Sequence, residues 1–117
     1  MPPSAILPST GLTPEVTPDA ASIASRLAVG LHAEAVYLFG SRARGDATMD
    51  SDYDFLVVVP ASNDSRYARN VQARSVVGDI RVPKDIVVLT RQEWASDLEV
   101  PCSLAATVAR EGIRLHG

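Results

Sequence analysis

At 117 residues the chain has the length of one domain, and 46% hydrophobic content is enough for a modest core. A formal net charge of −3 and only 5% aromatic residues argue against a basic, base-stacking nucleic-acid surface, although ten of the eleven cations are Arg, which suits bidentate phosphate contacts. The lone Cys102 excludes an internal disulfide, no window approaches the roughly 18 apolar residues of a membrane span, and no secretory signal is evident, so a cytoplasmic protein is expected.

Residues 1–17 carry Pro2, Pro3, Pro8 and Pro14 among Ser and Thr, and read as a flexible lead-in to a single folded domain over 18–117. Thr17-Pro18-Asp19 is a helix start, with a hydroxyl N-cap, Pro at the first helical position and an acid in the first turn. The helix should run to about Val29, bury Ile23, Leu27 and the alanines, and be closed by Gly30. Ala35–Phe39 reads as a first strand, Tyr53–Val59 as a second and Asp85–Leu89 as a third. A helix from Asp64 to about Val77 is predicted between the last two, with Tyr67, Ala68 and Val71 on its inner side. Short helices near 92–98 and 103–110 and a final strand over 113–115 complete an α/β (α+β) domain. Its sheet is small and mixed, with helices packed against it.

The chemistry gathers where the strands meet. Gly40-Ser41 leaves the first strand in a turn whose amides and hydroxyl can bind a phosphate. Asp52 and Asp54, two apart at the head of the second strand, point to one face. A short connection makes strands one and two antiparallel, and a helical crossover makes strands two and three parallel. Asp85, at the head of the third strand, then lies beside the Asp pair. Asp79 competes for that place, but Asp85 directly abuts an apolar run. Three carboxylates and a phosphate-binding turn are what metal-assisted phosphoryl chemistry needs.

Other readings of these residues fail or stay open. Asp50-x-Asp52-x-Asp54 starts like a calcium loop, but Phe55 and Ala61 stand where Gly and Glu belong. Gly40-x4-Gly45 imitates a P-loop without its Lys and Ser/Thr. Ser41 can equally be a helix cap for Arg42–Arg44, and Arg42 and Arg44 are surface residues or phosphate ligands. Lys84, His32 and His116 read as solvent-facing, and Cys102 as a buried small residue.

The string Gly40-Ser41-x-Ala43-Arg44-Gly45, followed by Ser51-Asp52-x-Asp54, resembles the signature of DNA-polymerase-β-like nucleotidyltransferases, and within them the minimal nucleotidyltransferase (MNT) branch. The likeness runs from about residue 20 to the C-terminus. It implies transfer of a nucleoside monophosphate, AMP from ATP by family default, to an acceptor hydroxyl. In that reading Asp52, Asp54 and Asp85 are catalytic and hold two Mg²⁺ ions, while Gly40, Ser41, Arg42 and Arg44 hold the triphosphate. Larger members carry a further helical domain, so this chain is expected to be completed by a partner in a homo- or hetero-oligomer. In the MNT branch that partner is typically a HEPN-domain toxin, modified on a tyrosine, with the nucleotidyltransferase as antitoxin. Two alternatives are an antibiotic-type small-molecule nucleotidyltransferase completed by another subunit, and an antitoxin that acts by contact alone. The apolar Asp-side faces of strands two and three, including Leu56 and Val58, suggest a covering partner.

Overall fold

Thr17 opens the first helix as the sequence predicts. In the computed structural model, which describes residues 16–48 and 50–117, its hydroxyl accepts from the Ala20 amide at 3.1 Å and Pro18 follows where no N–H is needed. Helix α1, Pro18–Gly30, then buries Ala20, Ile23, Ala24, Leu27 and Ala28 in one stripe. Gly30 is its last residue and Leu31 caps it. A Cβ on Gly30 would meet Val76 of the next long helix at 2.8 Å, so glycine serves helix packing there. Residues 1–15 of the proposed lead-in lie outside the described residues.

Among the described residues four strands form one sheet: β1 Ala35–Phe39, β2 Tyr53–Val59, β3 Lys84–Thr90 and β4 Ile113–His116. Their order is β3-β2-β1-β4, with β1 antiparallel to β2 and β4, and β2 parallel to β3. The connections are α2 Ser41–Arg44, α3 Arg66–Val76, α4 Arg91–Leu98 and α5 Leu104–Glu111. Alternation along the strands builds two cores. Phe55 and Val57 of β2, Val36 and Leu38 of β1, and Ile86 and Val88 of β3 share one core with α1 and α3. Leu56, Val58 and Leu89 face the other way, with Ala105 and Val108 of α5, while Trp94 of α4 stacks on Tyr37 at 5.1 Å. Each such fully buried Leu, Ile or Phe contributes about 1.5–3 kcal/mol. Among the described residues no helix is long and apolar enough to cross a membrane.

Two expectations are corrected here. The apolar Asp-side face of β2 and β3 is covered by this chain's own α4 and α5, so Leu56 and Val58 are buried without any partner. Helix α3 also sits the other way round. Tyr67 is 79% exposed and Val71 42%, whereas Arg69 and Ala73 are buried. The reason is an ion pair: Arg69 donates to the Glu93 carboxylate at 2.7 and 3.1 Å and to the Val88 carbonyl at 3.3 Å. Satisfying a buried guanidinium fixes the helix face more firmly than burying two apolar side chains would.

Candidate active site

Gly40 ends β1 with φ 77° and ψ −157°, a conformation closed to side-chain-bearing residues. Glycine is required twice over, because a Cβ there would run into Asp54 Oδ2. The next four residues make the α2 turn, which Gly45 closes at φ 84°. Ser41 is the first helical residue, and Gly40 rather than Ser41 occupies the cap position. That removes the capping role for the serine. No hydrogen bond engages its hydroxyl among the described residues, so it remains free for a ligand.

Thr48 and Ser51, ahead of β2, are tied to α2. Arg42 donates to the Ser51 carbonyl at 2.8 and 3.1 Å and to the Thr48 carbonyl at 3.4 Å. Its guanidinium also lies 4.0 Å over the Tyr53 ring. Tyr53 in turn bonds Thr17 Oγ1 at 2.7 Å. Through this chain of contacts Arg42 sets where Asp52 enters β2.

Asp54 lies opposite Phe39 on β1 and directly beside Asp85 on parallel β3. Asp52 precedes it by two, just ahead of β2, and its charge bears on Asp54. Burial pushes the Asp54 carboxyl above the usual carboxylate range, the charges of Asp85 and Asp52 push it further, and Arg44 pulls it back. Asp54 thus feels the charges of both other acids and of Arg44. Asp85 is exposed, and its carboxylate is turned to Arg74 of α3 at 3.3 Å.

Residues 24–109, well over half of the chain, match the family model of the nucleotidyltransferase domain. The chain belongs to that family. A candidate nucleotidyltransferase from Sulfolobus solfataricus, known from its crystal structure, is similar to it with a TM-score of 0.58 and 26% identity, over 82% of this chain and 75% of that one. No curated protein matches the chain significantly. Membership implies nucleotidyl transfer from a nucleoside triphosphate and, typically, a divalent metal.

In this nucleotidyltransferase the acids fit such a cation in kind, being hard oxygen donors from adjoining strand positions whose mutual repulsion a cation would relieve. As the side chains stand, no three His, Cys, Asp or Glu among the described residues are gathered closely enough to hold one.

The remaining candidates separate by position. Arg42 is engaged on its own loop, whereas Arg44 is exposed beside Asp46 at 3.4 Å and bears on Asp54. Asp79 is not in register with Asp54; it pairs with Arg26, which holds its carboxyl below the usual range. Lys84 is half-buried with its ammonium on the Ile80 and Val82 carbonyls, not free in solvent. Cys102 is exposed instead of buried, because it stands in the α4–α5 turn and the inward positions fall to Ala105 and Ala106. Arg74 is the residue that sequence reasoning missed. Its contact with Asp85 spans eleven positions, and no local spacing announces it.

Proposed function

We propose that this chain transfers AMP from ATP to a hydroxyl of a protein partner, a tyrosine of a HEPN-domain toxin, and serves as that toxin's antitoxin. The observation that carries the reaction is the pairing of Asp54 with Asp85 in the parallel register, directly against the Gly40 turn. The acceptor rests on the likeness of the Gly-Ser…Asp-x-Asp string to the MNT branch. The α4–α5 hairpin leaves Leu98, Val100 and Leu104 exposed, surface of the kind a protein partner covers.

Chemically, a bond forms between the acceptor oxygen and the α-phosphorus while the bond to the pyrophosphate oxygen breaks. The Gly40–Ser41 amides and the Ser41 hydroxyl would donate to the triphosphate tail, with Arg44 reaching it from α2. Asp85 would accept the acceptor proton. Asp52, Asp54 and Asp85 would hold Mg²⁺, two ions in this reading, which when bound neutralises the triphosphate and lowers the pKa of the acceptor hydroxyl. The work of the protein is positioning and charge.

The test is co-purification with the neighbouring gene's product, followed by intact mass measurement after ATP and Mg²⁺. One added AMP on the partner is expected, lost with Asp52→Asn or Asp85→Asn although the complex still forms. Protection of cells by folded Asp52→Asn protein, with no mass shift from the wild type, would mark a contact antitoxin instead. AMP appearing on an aminoglycoside but not on the partner would mark the small-molecule alternative.

A further inference from the structure

We infer that Arg74 is an exchangeable internal counter-ion of the site: in the free protein it pairs with the Asp85 carboxylate, and a divalent cation must displace it. This rests on the metal-dependent reading above and adds a residue to it. Helix α3 packs on the face of the sheet that holds Phe55 and Val57, while Asp85 belongs to the opposite face with Asp54. β3 is an edge strand. Arg74 follows the buried Ala73 and reaches round that edge to Asp85 Oδ1 at 3.3 Å.

Three other cations of this region are engaged elsewhere. Lys84 is directed at the Ile80 and Val82 carbonyls, Arg26 at Asp79, and Arg44 at Asp46. Arg74 is the cation whose ion pair with Asp85 is seen among the described residues. Both side chains are well exposed, at 57% and 60%. A pair of that kind shifts an equilibrium by up to about fivefold, so a divalent cation can displace it.

Mn²⁺ alone, titrated into the full chain without nucleotide and followed by electron paramagnetic resonance, tests the exchange. Arg74→Met and Arg74→Gln are expected to bind Mn²⁺ about two- to fivefold more tightly than the wild type. In an Asp85→Asn background the same substitutions should bring no gain, because Arg74 acts through that carboxylate. Equal affinity of wild type and both variants would overturn the inference and leave the cation site standing. A gain that persists with Asp85→Asn would also overturn it, showing bulk charge rather than a direct pair. Absence of Mn²⁺ binding in every protein would overturn the cation site itself and the exchange with it.

Discussion

The Arg69–Glu93 pair gives the sharpest stability prediction. Arg69 is 7% exposed and Glu93 29%, and the carboxylate also accepts from the Thr90 amide at 2.9 Å in a capping box that starts α4. The Arg69 guanidinium, with the Thr90 amide, holds the Glu93 carboxyl at about 2, against an ordinary 4.5. At about 1.36 kcal/mol per pH unit that difference is worth roughly 3 kcal/mol, and about 2 after allowing for the water that reaches the carboxylate. The folded value is depressed, so the contribution is complete above pH 4.5 and is lost as pH falls toward 2. Glu93→Gln keeps the shape and an acceptor but cannot titrate. Urea denaturation from pH 7 to 2 should show the variant less stable by about 2 kcal/mol at neutral pH, with the gap closing between pH 4.5 and 2. Parallel stability curves for variant and wild type through that window would refute the reasoning.

Gly40→Ala should lower the melting temperature and nucleotide affinity together, since the left-handed backbone costs about 1–3 kcal/mol and the new methyl displaces the Asp54 carboxylate; a variant that melts and binds like wild type would remove the turn from the site. Ser41→Ala should leave the melting temperature unchanged, because its hydroxyl makes no hydrogen bond among the described residues, yet weaken ATP binding roughly tenfold to a hundredfold if it donates to a phosphate. Calorimetry separates those two effects, and unchanged affinity would make Ser41 a bystander. Asp54→Asn should stabilise the ligand-free protein by relieving the repulsion from Asp85 and Asp52, and should lose most of the melting-temperature rise that Mg²⁺ with ATP gives the wild type. Equal ligand-induced rises in the two proteins would exclude a shared cation at Asp54.

The strands were legible because each is a short apolar run between turn residues, and the connection lengths then dictated antiparallel and parallel pairing. That logic brings Asp54 and Asp85 to neighbouring positions, as the register has them. Where the sequence reading failed, a long-range polar contact had overruled local pattern. Tyr67 and Val71 look like the inner stripe of α3 only until Glu93, twenty-four positions beyond Arg69, is known to need that arginine. Arg42 offered itself equally to phosphate and to loop, and only the fold places the Ser51 carbonyl within its reach. The cover over Leu56 and Val58 was hidden because α5 carries mostly alanine on its buried side, a weak apolar signal for a helix that fills half a core.

Helix α3 closes the open edge of β3 with two arginines of unlike character, and that difference yields a crossed prediction. Asn70 accepts from the Val88 amide at 2.9 Å and Arg69 donates to the Val88 carbonyl, so the outward backbone there is answered by side chains and cannot recruit another strand. Arg69 then continues to Glu93 in a largely buried pair, while Arg74, further along the helix, meets Asp85 in water. A buried charge left without its partner is expensive, whereas an exposed one is simply hydrated. Arg69 therefore keeps α3 docked while Arg74 lets go of Asp85. Substituting Glu93 should shift stability and leave Mn²⁺ affinity near the wild-type value, and substituting Arg74 should do the reverse. Measuring both quantities on both variants decides the matter: if either substitution moves stability and cation affinity together, the two ends of α3 are not independent and the exchange at Asp85 cannot proceed without loosening the fold.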